Sequence, residues 1–214
     1  MDPSVLVSVL QAEARASPAS VLAHYLAGAT RDASFSTAHN TTRFHQKGKG
    51  WLTVLETALA ALGQRSWMYE EGRRGVFVLE TCWRPDPVPP RTPEERAAFC
   101  RGYFDADGGM PQSLADRLYF QFVQKNRQDL QSLRGQLAAL DIECGRLHVP
   151  SKRVDPDYWR VFVRARSFED FMLVVGSWHP RKWALISARL GRGQDDAGES
   201  PEGDESQGND RDDQ

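Results

Sequence analysis

Apolar residues along this chain recur at two spacings, one helical and one alternating, and their order outlines the elements. Val5, Leu6, Val9 and Leu10 form a helical stripe over residues 2 to about 16, with Asp2 placed to cap and Pro3 to start. A second helix is expected from Ser17-Pro18 to about residue 29. Residues 35–44 read as a strand or hairpin with polar alternation. Leu52, Leu55, Leu59 and Leu62 give residues 51–62 one apolar side, so they read as an amphipathic helix. Residues 65–81 read as a hairpin turning at 71–75, and residues 85–90 form a proline-rich connector. Alternation returns in 117–125, 145–149 and 158–166. A helix capped by Ser167 is expected over residues 168 to about 175. After a break at His179-Pro180, a last helix runs to about residue 190.

Between the two halves stands the helix of residues 91–111. Thr92 is its N-cap, Pro93 suits the first helical position, and Glu95 completes a capping box. It closes on Gly108-Gly109, where a helix can end in a left-handed residue. Ala98, Gly102 and Ala106 fall four apart and share one face, which lets a second backbone approach closely. Phe99 and Tyr103 line a bulkier face. Asp105 and Asp107 sit at the C-terminal end, where the helix dipole is already negative. Acids placed there at a cost suggest a cation.

The halves repeat each other. At a shift of 78, Phe44-His45-Gln46-Lys47 falls on Phe122-Val123-Gln124-Lys125, and Leu59-Ala60-Ala61-Leu62 on Leu137-Ala138-Ala139-Leu140. At a shift of 75, Pro18, Ala23, Ala27 and Asp32 fall on Pro93, Ala98, Gly102 and Asp107. If Gly28 is matched to Gly102 instead, the acid position holds Ala33.

Cys100 to Gly108, CRGYFDADG, resembles the nine-residue signature of the LAGLIDADG homing endonucleases, through Gly102 and Asp105-Ala106-Asp107-Gly108. The resemblance implies an α+β fold of duplicated αββαββ(α) units. Two antiparallel sheets would form a DNA-binding saddle, with the two motif helices packed at a pseudo-two-fold axis. The expected divisions are an N-terminal helix (1–16), a degenerate first repeat (17–84), a linker (85–91), a second repeat (92–193) and a disordered acidic tail (194–214). Both halves lie in one chain, so a monomer is expected.

The implied activity is site-specific hydrolysis of double-stranded DNA with Mg²⁺. Hard cations take carboxylate oxygen, and paired ions can activate water and neutralise charge at phosphorus. Asp107 is the implied metal ligand and catalytic acid, with Asp32 as its counterpart in the first repeat. Gln124 and Gln46 resemble the polar residue that orders water there, and Lys182 the basic residue that stabilises charge near the phosphate. Asp105 is read as capping or packing at the helix end. Arg31 beside Asp32 would compete with a metal, and no first-repeat lysine matches Lys182. Cutting of both strands, nicking of one, and binding alone as a cleavage-deficient regulator all stay open.

Strand alternation agrees with DNA as the ligand. Arg117, Tyr119 and Gln121 face away from Leu118, Phe120 and Phe122. Arg146 and His148 oppose Leu147 and Val149. Arg160, Arg164 and Arg166 share a face with Phe162, opposite Trp159, Val161, Val163 and Ala165. Lys152 and Arg153 add positive charge in a loop. Such side chains suit phosphates and base edges.

Charge sharpens this picture. The chain's net charge of −2 averages two unlike parts: residues 194–214 carry nine acids and one base, which leaves 26 bases, 20 acids and a net +6 in residues 1–193. A mildly basic body suits a polyanion, and the acidic, Gly- and Ser-rich end has no apolar run to bury. No apolar run approaches a membrane span. Cys82, Cys100 and Cys144 lack metal-ligand spacing and are expected reduced, in a cytoplasmic protein.

Overall fold

Each half of the chain delivers a helix into an antiparallel sheet. The computed structural model describes residues 2–72, 75–86, 88–150, 153 and 155–196. In the first half, α1 (Pro3–Ala16) starts at Asp2, whose carboxylate accepts from the Ser4 amide at 2.7 Å. Helix α2 (Ala19–Ala29) starts at Pro18 and tightens into a 3₁₀ turn, Thr30–Asp32. Strands β1 (Ser34–Ser36) and β2 (Thr41–Gln46) follow, then α3 (Gly50–Ala61), β3 (Ser66–Glu71) and β4 (Val76–Thr81). Their antiparallel sheet has the order β1-β2-β4-β3, with Phe44 opposite Leu79 and both buried towards the helices.

The second half opens with α4 (Pro93–Asp107), where both bonds of the Thr92–Glu95 capping box form. Then come β5 (Gly108–Gly109), β6 (Gln121–Gln124), α5 (Arg127–Ala138) and β7 (Trp159–Phe162). Helix α6 (Phe168–Asp170) continues as a π turn, Phe171–Val175, and α7 spans Pro180–Asp196. The second sheet has three strands, β5-β6-β7, not the expected four. The place of β3 is taken by residues 144–148, held to β7 by two isolated bridges, Cys144–Val163 and His148–Arg160. Four steps of chain on one side meet three on the other. That extra residue is a bulge, and it breaks the ladder.

Several expectations are corrected here. Gly108 is extended (φ −75°, ψ 142°) rather than left-handed, because it already pairs with Phe122. Strand β6 begins at Gln121, so Arg117 and Tyr119 precede it. Strand β7 ends at Phe162: Arg164 follows it, and Ala165 to Ser167 form a 3₁₀ turn. Ser167 caps no helix; its hydroxyl accepts from the Glu143 amide at 3.0 Å. Helix α7 carries Gln194 to Asp196 within it, and the rest of the acidic tail lies outside the described residues.

Helices α2 and α4 cross where glycine meets glycine. A Cβ on Gly28 would overlap Phe99 O and stand 2.7 Å from the Tyr103 amide nitrogen. A Cβ on Gly102 would overlap Tyr25 O and stand 2.9 Å from the Ala29 nitrogen. Tyr25 and Ala29 relate to Phe99 and Tyr103 by the same 74 residues that relate Gly28 to Gly102. The N-caps Pro18 and Thr92 are also 74 apart. Within the helix pair the two-fold relation is therefore a shift of 74, and Gly28, not Ala27, makes the close approach.

Two cores flank this pair. Leu6, Leu10, Tyr25, Leu26, Phe44, Trp51 and Leu55 belong to the first, and Phe104, Phe120, Phe122, Leu133, Val161 and Phe171 to the second. Helix α1 closes the first core by packing on α3. No helix among the described residues is long and apolar enough to cross a membrane.

Candidate functional site

Asp32 lies four residues after Gly28 in the first repeat, and Asp107 lies five after Gly102 in the second. An α-helix rises about 1.5 Å per residue and a 3₁₀ helix about 2.0 Å. With three of its four residues in the 3₁₀ turn, the first repeat covers about 7.5 Å, the same as five α-helical residues. The missing residue is thus made up by tighter winding. Strand register agrees: Gly108 lies opposite Phe122 in β5–β6, and Ala33 precedes Ser34, which lies opposite Arg43. Extending that ladder by one residue sets Ala33 against Phe44. Asp32 therefore takes the place of Asp107, although its helix is aligned one residue differently.

The two acids stand close enough to feel one another. Asp107 is half-buried, and burial pushes its carboxyl up to about 6, with the charge of Asp32 adding to the effect. Desolvation raises the carboxyl of Asp32 as well, against the pull of His45 and Lys182. Gln124, on the helix-facing side of β6 with Phe122, donates from Nε2 to Asp107 Oδ2. Among the described residues no three His, Cys, Asp or Glu side chains converge. Two partly desolvated carboxylates and an amide oxygen are a hard-oxygen donor set, which fits a hydrated divalent cation and not a soft, thiolate-bound metal.

Lys182 lies beside them, but its amine is committed. It donates to the carbonyls of Phe104, Asp105 (3.1 Å) and Gly108 (2.8 Å), where α4 gives way to β5. Burial pushes it down to about 8, against the pull of Asp105, Asp107 and Asp32. Gln46 does not reach the acids in the way Gln124 does: it lines a separate cavity with Trp51 and His179. Arg31 does not compete at Asp32. It turns to Asp129 of α5 at 2.9 Å, joining one repeat to the other.

Asp105 faces the interior. Its carboxylate accepts from the Tyr25 hydroxyl (2.9 Å), the Trp178 amide (2.8 Å) and the Ser177 hydroxyl, while Trp51 Nε1 donates to the Tyr25 oxygen at 2.8 Å. Burial pushes its carboxyl up, against Lys182 and these donors. Asp105 thus packs at the helix end, as expected, and does so by tying α4 to α2, α3 and the segment before α7.

The outer faces of the two sheets differ. In the second, Gln121, Arg160 and Phe162 share the face with Tyr119, and His148 stacks on Phe162 with ring centroids 6.0 Å apart. Arg117, Arg146, Arg153 and Arg164 are exposed and have no ion-pair partner among the described residues. Arg166 leaves this set, because it pairs with Glu143 beyond the strand end. Lys152 lies outside the described residues.

In the first sheet the sequence reading missed a neutralised cation. Arg43 Nε lies 3.0 Å from Glu80, whose carboxylate also accepts from Thr41 and from the Tyr69 hydroxyl at 2.9 Å. Alternation marks both residues, but only strand register sets 43 against 80. Despite desolvation, these partners hold the Glu80 carboxyl down at about 2. A depressed carboxyl stabilises the fold above its unfolded value and loses that contribution as pH falls. Urea melts at pH 7, 5 and 3 should show wild type losing stability between about pH 4.5 and 2 more steeply than Glu80→Gln; parallel curves would remove this role for Glu80.

No protein-family model matches the sequence, and no curated protein matches it either. Solved structures do match in shape. I-DmoI in complex with DNA and Ca superposes with a TM-score of 0.61 at 14% identity, over 80% of this chain and 100% of that one. The N-terminal LAGLIDADG domain of DUF199/WhiA gives 0.62 at 11%, over 79% and 89%. Full-length DUF199/WhiA from Thermatoga maritima gives 0.60 at 12%, over 88% and 70%. Likeness of this extent over most of each chain carries one conclusion: the chain has the LAGLIDADG fold.

Proposed function

We propose that this chain binds double-stranded DNA across its two sheets and hydrolyses it site-specifically with a divalent cation. One observation carries the reading: a 3₁₀ turn compensates for a missing residue so that Asp32 meets Asp107. Nothing in packing requires two carboxylates to share a half-buried place and repel each other, and a cation relieves that repulsion. Asp107 and Asp32 would hold the ion, and I-DmoI has been solved with Mn, Mg and Ca. A bound Mg²⁺ supplies charge neutralisation at phosphorus and a water of lowered pKa. Gln124 orients Asp107 by its hydrogen bond and keeps an oxygen free for water. Lys182 holds the carbonyl end of α4, and so the position of Asp107, while its charge offsets the acids. The arginines of the second sheet supply phosphate contacts, and Gln121, Arg160 and His148 stand where base edges would pass.

A second reading is a DNA-binding regulator of this fold that does not cut. The unequal halves favour it: Arg43 is neutralised by Glu80, and Gln46 lines another cavity while Gln124 bonds Asp107. One experiment separates the two. Supercoiled plasmids carrying host genomic fragments are incubated with Mg²⁺ and wild type, Asp107→Asn or Asp32→Asn. Linear product lost in both variants means two working acids. Nicked product lost only with Asp107→Asn means one. No product, with tight and salt-sensitive duplex binding, establishes the regulator.

A further inference from the structure

Residues 178–180 belong by sequence to the second repeat, and their side chains pack on the first. Trp178 sits in the first core, 4.5 Å from Tyr25 ring to ring. His179 stacks on Trp51, with centroids 5.8 Å apart and planes 29° apart. Pro180 lies against Gly50, where a Cβ would stand 3.4 Å from its Cγ. Between this segment and the turn at residues 46–50 lies a cavity of about 300 Å³.

The cavity's polar side chains are Gln46, Lys47, His179 and Arg181, with no carboxylate among its lining. Lys47 and Arg181 are exposed and have no ion-pair partner among the described residues. The Nδ1 of His179 is buried without a hydrogen-bond partner. Helix α3, 12 residues long, starts at the same turn, and Lys49 gives it no side-chain cap. Its first N–H groups therefore have no acceptor from the cap, and its dipole adds positive potential. Gly48 leaves open space where a side chain would stand. Two free cations and an uncapped helix start around one cavity select a phosphate.

We propose that this cavity holds a backbone phosphate of bound DNA. Residues 179–181 then add cation contacts to the first half, in whose sheet Arg43 is bound to Glu80. The inference rests on the DNA-binding reading above. It adds a contact built from both repeats, beyond the sheet faces.

The test uses the full chain and fluorescence anisotropy with a labelled duplex across a salt series, for wild type, Lys47→Gln, Arg181→Gln and, as a control on the exposed end of α1, Arg15→Gln. Each phosphate contact adds about 0.9 to the slope of log affinity against log salt. Lys47→Gln and Arg181→Gln should each weaken binding by about three- to tenfold at low salt and lower the slope by about 1, while Arg15→Gln changes neither. Both residues are exposed, so unchanged melting temperatures are expected and verify folding. Inorganic phosphate, titrated while the His179 ring nitrogens are followed by NMR, distinguishes the source of the ligand. Phosphate-dependent shifts with unaltered DNA slopes would make the cavity a free-phosphate site and overturn the proposal. Wild-type duplex binding with slopes unchanged in both variants overturns it too, and leaves the DNA-binding reading standing. Absence of salt-dependent duplex binding by wild type overturns both.

Discussion

Gly102→Ala is expected to destabilise the protein by at least about 3 kcal/mol, for the addition of one methyl group. Its new Cβ would overlap the Tyr25 carbonyl and crowd the Ala29 nitrogen at 2.9 Å. Those atoms are backbone of a helix in the middle of the molecule, so no rotamer change relieves them, and α2 would have to move off α4. Moving it opens both cores, since Tyr25 and Leu26 lie on one side and Tyr103 and Phe104 on the other. Gly28→Ala should behave alike, because it meets Phe99 and Tyr103 in the equivalent way. Gly135→Ala in α5 is the control. Nothing lies within 4 Å of its missing Cβ, so the helix should gain about 0.5–1 kcal/mol. Chemical denaturation of the three variants checks the contrast. A Gly102→Ala protein as stable as wild type would mean that the helices do not cross there.

Asp105→Ala should cost about 3–5 kcal/mol. Its carboxylate collects the Tyr25 hydroxyl, the Trp178 amide and the Ser177 hydroxyl in the interior, and Lys182 stands beside it. Removing it leaves those donors without an acceptor and Lys182 with one anion fewer, each a desolvation cost with no return. Asp105→Asn keeps an oxygen and should lose distinctly less. The pair is measured by urea melts with Trp fluorescence, which also reports Trp178 and Trp51 at the ends of the network. Equal losses for Ala and Asn would show that charge, and not hydrogen bonding, is what the site needs.

Both effects come from one short motif, and that motif was largely legible. Thr92-Pro93-Glu94-Glu95 sets the start of α4 by local bonds that any four such residues can make. The spacing of Ala98 and Gly102 marks a face for close approach, and Ala98 is indeed buried there. The 78-residue repeat places Gln46 and Gln124 at equivalent ends of β2 and β6. What the repeat could not decide was which of two shifts related the helices. Contacts across the axis follow 74 and the acids follow 75, and a linear comparison admits one shift at a time. Only the 3₁₀ turn, a conformation and not a residue pattern, reconciles them.

The local facts of this protein, then, are written in its sequence: helix starts, amphipathic faces, hairpins, the small-residue crossing and the acids that end α4. Each depends on neighbours within a turn or on a period of the chain. Pairing across the fold was decided by tertiary structure. Arg31 goes to Asp129, Arg43 to Glu80 and Arg166 to Glu143, so three arginines of equal sequence character end in different places. Lys182 spends its three hydrogens on carbonyls 74 to 78 residues away. Strand pairing was decided there as well, since one extra residue between the bridges to Arg160 and Val163 keeps residues 144–148 from forming a full ladder with β7. The physical reason is common to these cases. A local bond is specified by residues close in sequence, whereas a partner for a long charged side chain is chosen by which backbone arrives beside it.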